Sequence, residues 1–408
     1  MTDRPFATGA VAPPRLGPSH RRSLLRWFAS SATMPVPQAA GPVAFSLVAL
    51  SLTGEASGGA AMILAMTLAQ VAGAIPITRL GRNLPAATVL RLLVVFRAVA
   101  LAAVCLCAYT HAAFAWLVVF AALAGLVNGA ASGYLRALLN HFTPASRLPR
   151  ALGIAATLNE LTFVLGPVAA SGLGAVTPVF AVVALTVLGA IPALLIPRAG
   201  QPHAENAPHA RASLLRPAIL LWLACAAAGG STVASIEIGA VSLALKFGYE
   251  PTLAILFTVP LCLASVTGGV WVSVRNRMAS RNSVASKLSV MTLGVALVAF
   301  GPSVTTTVLG AVLIGIVLAP LGTYYSLALD QLAPPHQRAE VFALLRTANA
   351  TGVIFASAVL TSASLSSALI MVTGAMLAVT LVVRFAPVAR QTGLPPQRPA
   401  PGAEPPRS

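Results

Sequence analysis

The stretch from Ser57 to Asn83 reads SGGAAMILAMTLAQVAGAIPITRLGRN. It is uncharged up to Thr78, and then Arg79, Gly81 and Arg82 follow in quick succession. An uncharged apolar run of about 20 residues, rising 1.5 Å per residue as a helix, is what crossing a bilayer's hydrocarbon region requires. The basic close marks the end that faces an anionic membrane surface. A second apolar run ends in the same way, at Ser273-Val274-Arg275-Asn276-Arg277.

Working outward from this pair, twelve such runs are expected, at 27–51, 57–78, 86–109, 112–137, 151–175, 178–196, 217–243, 251–273, 284–300, 304–329, 340–361 and 365–384. Of the 26 Lys and Arg, all but Lys246, Arg91 and Arg97 fall in the tails or in alternate connections, helix ends included. That is the positive-inside pattern. It predicts a multi-pass protein of the bacterial plasma (inner) membrane with both termini cytoplasmic. The fold class is all-α, a polytopic membrane protein of twelve helices in two pseudo-symmetric halves. The expected divisions are a cytoplasmic tail (1–26), a first six-helix half (27–196), a cytoplasmic central loop (197–216), a second six-helix half (217–385) and a disordered tail (386–408).

Composition agrees with this placement. The 408 residues are 57% hydrophobic and only 9% charged, with a mean hydropathy of +0.86, too apolar for the outer shell of a soluble domain. The net charge of +17 belongs to loops facing anionic lipid, so membrane lipids and not nucleic acid are the expected partners. Cys105, Cys107, Cys225 and Cys262 sit in apolar runs and read as small core residues. The six His show no metal-ligand spacing, and no Gly-rich loop with Lys-Ser or Lys-Thr provides a phosphate cradle. No cofactor is expected, and no convergent nucleophile, acid and base suggest an enzyme.

The two halves echo each other. The same offset separates Pro144 from Pro334 and Asn159 from Asn349. A nearly equal one separates Thr78-Arg79-Leu80-Gly81-Arg82 from Ser273-Val274-Arg275-Asn276-Arg277. Parallel six-helix repeats with a binding site between them are a known transporter plan.

On these residues the chain resembles the major facilitator superfamily over roughly residues 24–385. The family's loop between helices 2 and 3 reads Gly-x-x-x-Asp-Arg-x-Gly-Arg-Arg or Lys. Arg79, Gly81 and Arg82 match it, while Ala74, Thr78 and Asn83 stand where the first Gly, the Asp and the last basic residue occur. The Asp helps to hold the cytoplasmic gate closed in family members, so the usual gating ion pair lacks its acidic member here. In the fifth span, Gly166-Pro167 and Gly172 resemble the family's antiporter motif, without its second closing Gly. Gly125-Leu126-Val127-Asn128-Gly129 resembles a fourth-span motif that lacks its Arg. The pattern is most similar to bacterial drug or metabolite exporters. It implies a gating loop of Arg79, Gly81, Arg82, Arg275 and Arg277.

Two of the nine acidic residues, Glu160 and Glu237, lie inside spans. A carboxyl at that depth must pair, stay neutral or face a cavity, and one that exchanges its proton with a cavity suits proton coupling. Arg97 is the third coupling candidate, as a counter-ion to a carboxylate or an anionic solute. Each has an alternative structural role in holding helices together. Arg136 and Arg346, near span ends, read as anchors or gate contacts. Gln38, Gln70, Asn128, Asn159, Tyr324, Tyr325 and Asn349 are candidates for lining a cavity, Gln38 beside a break made by Pro35 and Pro37. Each could equally be interhelical glue.

The expected function is secondary active transport by alternating access, in the form of proton-coupled export of a small amphipathic molecule by a monomer driven by a transmembrane proton gradient. The alternatives are a uniporter or proton-coupled importer of a small metabolite, and a non-transporting membrane structural or sensor protein.

Overall fold

The computed structural model describes residues 18–54, 57–196, 216–277, 280–362 and 364–385. The first part of the expected N-terminal tail, the central connection up to residue 215 (with His203, His209 and Arg211) and the expected disordered C-terminal tail lie outside the described residues.

The described residues form fourteen α-helices, which make twelve stretches long and apolar enough to cross a membrane. Span 1 is α1 (Pro18–Thr33) plus α2 (Val36–Thr53), span 2 is α3 (Ser57–Leu80) and span 3 is α4 (Ala86–Tyr109). Span 4 is α5 (Phe114–Leu126) plus α6 (Asn128–Phe142), span 5 is α7 (Leu148–Gly174) and span 6 is α8 (Pro178–Leu195). The second half continues with α9 (Pro217–Lys246), α10 (Ile255–Arg275), α11 (Arg281–Phe300), α12 (Val304–Leu332), α13 (Arg338–Ser362) and α14 (Leu365–Phe385), spans 7 to 12. The expected runs are all present. Several extend further than their hydropathy indicates, as where span 4 continues to Phe142 and span 10 to Leu332.

Lipid offers the backbone no hydrogen bonds, so each span is helical, and N-termini such as those of α8, α11 and α12 carry side-chain caps. Thr177 and Ser280 accept from the backbone N–H three residues on, and Ser303 with Thr306 forms a reciprocal capping box. The break expected in span 1 is present at Thr33–Pro35. A second break, at Val127, was not legible in the sequence. There span 4 presses on span 2 so closely that a Cβ on Gly125 would lie 2.0 Å from the Met66 carbonyl oxygen.

Apolar side chains also cover the outside of the bundle. On α4, Leu92, Val95, Phe96 and Val99 recur at helical spacing and are all exposed, Val99 by 64%. A stripe of this kind fits lipid tails.

Each half packs around its own core. Trp222, Phe257, Leu288, Ile314 and Leu369 belong to a cluster whose buried members all come from α9–α14. Phe45, Met62, Leu101, Leu117 and Leu185 belong to one drawn entirely from the first half. Between the halves, α7 packs on α10 and α13 packs on α3, and α6 also lies against α13. Spans 5 and 11 are counterparts in the repeat, as are spans 2 and 8, so the interface has the pairing that a twofold axis requires. Glycine permits the closest approaches. A Cβ on Gly133 would lie 2.3 Å from the Ala339 carbonyl oxygen, and one on Gly153 would lie 2.7 Å from the Ser273 nitrogen.

Candidate functional site

A chain of polar side chains crosses the middle of the bundle. It begins at Arg97, which is only 1% exposed. The proline-induced break in span 1 makes one of its partners available. The Gln38 and Ala39 N–H groups both bond to Pro35 O, at 2.9 and 3.0 Å, which leaves the Met34 carbonyl free. Arg97 Nη1 donates to that carbonyl at 3.0 Å and to Asn128 Oδ1 at 2.9 Å, and Nη2 donates to Gly189 O at 2.7 Å. The guanidinium therefore ties spans 1, 3, 4 and 6 together through neutral acceptors. Gly189 must lack a side chain here, because a Cβ would lie 2.7 Å from Pro37 Cγ.

Asn128 passes the chain onward by donating Nδ2 to Gln70 Oε1 at 3.0 Å. Gln38 Nε2 donates to the same oxygen, and Gln38 Oε1 accepts from Arg346 Nη2. Arg346 stands on α13, in the second half, so its bond to Gln38 crosses between the halves. A cation stands at each end of the chain, with three amides relaying between them.

Glu160 and Glu237 form a second group. Glu237 is exposed on α9, yet it lies within electrostatic reach of Glu160 on α7 in the opposite half. Cys262 on α10 lies within reach of both carboxyls. Glu160 also lies alongside Ser265, whose buried hydroxyl has no partner of standard geometry. The two carboxyls therefore stand on either side of the division between the halves. Neither carboxyl is among the hydrogen-bond partners of Arg97.

The halves meet at the face that carries the basic connections. Arg79 Nε donates to Glu340 Oε1 at 2.8 Å, so an acid on span 11 engages the gating-loop arginine where Thr78 replaces the loop's own Asp. Tyr134 donates to the Thr78 carbonyl at 2.9 Å. Arg136 places its guanidinium over the Phe342 ring, 4.4 Å from the centroid. Asn140 donates to Asp330, which also pairs with Arg338 at 3.4 Å. Asn140 and Asp330 are separated by the repeat offset of Pro144 and Pro334. Equivalent residues can bond directly where they flank the symmetry axis. On the other side of that axis, Asn276 accepts from Arg150 N at 3.0 Å and donates to Ser146 O at 2.9 Å.

Of the other sequence candidates, Gly81 is buried against Tyr134 and Val89, whereas Arg82 and Arg277 are exposed. Arg275 stacks over Trp271 at 5.1 Å. Gly166 lies against Ala39 and Ala40 of span 1, Pro167 sits within α7, and Gly172 faces open space. Tyr324 and Tyr325 are buried against Trp222 in the core of the second half, with ring centroids 5.0 and 6.0 Å away. Asn349 packs against Gly230 of α9, and Asn159 precedes Glu160 on α7. Sequence reasoning missed the roles of Asn140, Asp330 and Asn276. The repeat offset was the signal that could have exposed the first two. Among the described residues no group of three or more His, Cys, Asp or Glu could hold a metal ion.

The architecture is shared with solved transporters. The bundle is similar to a bacterial homologue of the iron transporter ferroportin in an outward-facing state (TM-score 0.75, 17% identity, covering 90% of this chain and 98% of that one). It is also similar to the human organic anion transporter MFSD10 (TM-score 0.70, 16% identity, 90% and 100% covered). A third similar structure is the E. coli fucose:proton symporter FucP (TM-score 0.69, 11% identity, 90% and 98% covered). No curated protein matches the chain at the sequence level. The chain is a multi-pass membrane protein whose fold moves small molecules across a membrane and does not catalyse their conversion. The sequence profile of the Major Facilitator Superfamily matches residues 25–357, and with its twelve spans in two repeated halves the protein belongs to that superfamily.

Proposed function

We propose that the protein is a proton-coupled exporter of a small amphipathic molecule in the plasma membrane of a bacterium. Both termini and the basic face lie in the cytoplasm, and the conformation described is closed on that side. The observation that supports the coupling is that Glu160 and Glu237, from opposite halves, lie within electrostatic reach of each other. Opening or closing the gap changes the distance between the two carboxyls, and with it the cost of charging both. Proton binding is thereby tied to the motion of the halves. The positive-inside distribution supports the orientation, and Gly166-Pro167 in span 5 supports export. The fold shared with a fucose:proton symporter makes the same coupling with inward solute flow the second reading.

The test is solute flux in vesicles of purified protein under an imposed pH gradient. The gradient is expected to drive flux in the wild type, and Glu160→Gln with Glu237→Gln to abolish that drive. Gradient-driven flux that persists in the double variant removes both carboxyls from the mechanism. The sign of the flux relative to the gradient decides between export and import.

A further inference from the structure

We infer that Arg346 binds the anionic group of the transported molecule, a carboxylate in the first instance, in place of its present acceptor on Gln38. The inference rests on the alternating-access reading above and deepens it by giving the solute a charge.

Among the described residues, two cations near the interface between the halves are paired with acids. Arg79 has Glu340 and Arg338 has Asp330. Arg136 lies over Phe342 and donates to Asn140 at 3.0 Å, while its Nε and Nη2 have no hydrogen-bond partner. Arg97, inside the first half, is buried and bonded to two carbonyls and an amide. Arg346 differs in its acceptor, a side-chain amide of the opposite half. Its bond to Gln38 supplies a neutral acceptor, and among the described residues no carboxylate pairs with it. A guanidinium at membrane depth without a counter-charge is costly, and such groups mark solute pathways.

The position of Arg346 gives it access. On α13 the side chains facing the first half form a ladder from the basic face inward: Glu340 to Arg79, Phe342 to Arg136, then Arg346 to Gln38. Arg346 is the innermost rung. Arg346 is partly exposed. A planar guanidinium matches the two oxygens of a carboxylate in a paired, parallel geometry. An arriving carboxylate competes with Gln38 Oε1 for that guanidinium and so loosens the innermost link between the halves. A ligand acts on a conformational equilibrium only through a contact that differs between the states, and this link is such a contact.

The experiment uses purified full-length protein in detergent and follows thermal unfolding by intrinsic tryptophan fluorescence. The probes are charge-matched triplets: benzoate, benzamide and benzylamine, and hexanoate, hexanamide and hexylamine. At least one carboxylate is expected to raise the Tm saturably while its amide and amine do not. Arg346→Gln is expected to weaken that binding at least tenfold, and Arg346→Lys to weaken it less. Gln38→Ala removes the internal competitor and is expected to tighten binding severalfold, a gain that a misfolded variant cannot mimic. Silence of both carboxylates in the wild type overturns the inference, as does equal stabilisation by the neutral or cationic members. Undiminished carboxylate binding in a folded Arg346→Gln variant overturns it too. If gradient-driven flux in vesicles persists alongside any of these results, the transport reading stands and only the charge assignment falls.

Discussion

Gly133→Ala tests whether the basic face is held shut by backbone contact. In the closed arrangement the added methyl would lie 2.3 Å from the Ala339 carbonyl oxygen and 2.9 Å from the Ala343 nitrogen. Relief requires α6 and α13 to separate by about 1 Å, because ordinary van der Waals contact begins at 3.4 Å. Forcing an extra carbon into a packed interface costs about 1–3 kcal/mol. Concentrated at the interface between the halves, that cost shifts the closed-to-open ratio by roughly 5- to 150-fold. Helix propensity works in the opposite direction, since Ala is favoured over Gly by about 1 kcal/mol in a helix, so opening could not come from a weakened helix. The assay measures distances between spin labels by pulsed electron resonance. Labels at Arg82→Cys and Arg277→Cys, exposed positions in different halves, are placed in a background with Cys105, Cys107, Cys225 and Cys262 replaced by Ala. The unsubstituted background is expected to give mainly a short distance, and Gly133→Ala a dominant longer one. Gly125→Ala is the control, since its methyl would lie 2.0 Å from Met66 O within the first half and should lower stability without opening the face. A folded Gly133→Ala protein whose distances overlay those of its parent would refute the reasoning.

Arg97→Met strands the Met34 and Gly189 carbonyls and Asn128 Oδ1 as buried acceptors at about 1–3 kcal/mol each, so the Tm in detergent should fall by more than about 5 °C, and less for Arg97→Lys. A double-mutant cycle on Arg79 and Glu340, read by the same spin-label ratio, should give a coupling below about 1 kcal/mol, because Arg79 is 62% exposed. Asn276 has φ 43°, so Asn276→Ala loses two links between the halves and adds about 1–2 kcal/mol of backbone strain. Asn276→Gly loses the links alone and should open the face less, and equal opening in the two variants would mean that strain plays no part.

The hydropathy of this chain made the twelve spans legible because lipid allows few solutions: a charge-free run of sufficient length must be a helix. The basic connections and the repeat offset made the two halves legible for similarly general reasons. Side-chain partnerships were less accessible, since they depend on how helices rotate against one another. Gln38, Gln70, Asn128 and Arg97 were each singled out as polar groups at depth. Nothing in their spacing indicated that they join end to end, because the join depends on the break at Thr33–Pro35 that frees Met34 O. Tyr324 and Tyr325 follow a proline, as cavity-lining aromatics could, but packing against Trp222 turns both into the core. From its nearness to a span end Arg346 reads as an anchor or gate contact, without a partner named. Its meeting with Gln38 belongs to the contact between halves, which no local pattern encodes.

The closed face combines many weak polar ties with a few backbone contacts of high precision, and the magnitudes explain why. A surface closed by buried ion pairs would cost several kcal/mol per charge to assemble and a comparable amount to break, so it would act as a lock. Exposed pairs such as Arg79–Glu340 contribute about 1 kcal/mol or less, which guides register without dominating the equilibrium. The glycine contacts add dispersion that loses about a quarter to a half of its strength with up to an ångström of separation, so closure weakens over a short movement. Symmetry breaking then determines what can release the face. Asn140 and Asp330 meet at the axis, an ion pair lies to one side, and Asn276 with its backbone partners lies to the other. The link that remains open to a solute is the innermost, Arg346 to Gln38, where a single neutral acceptor holds a cation and a charged competitor need displace only that one bond.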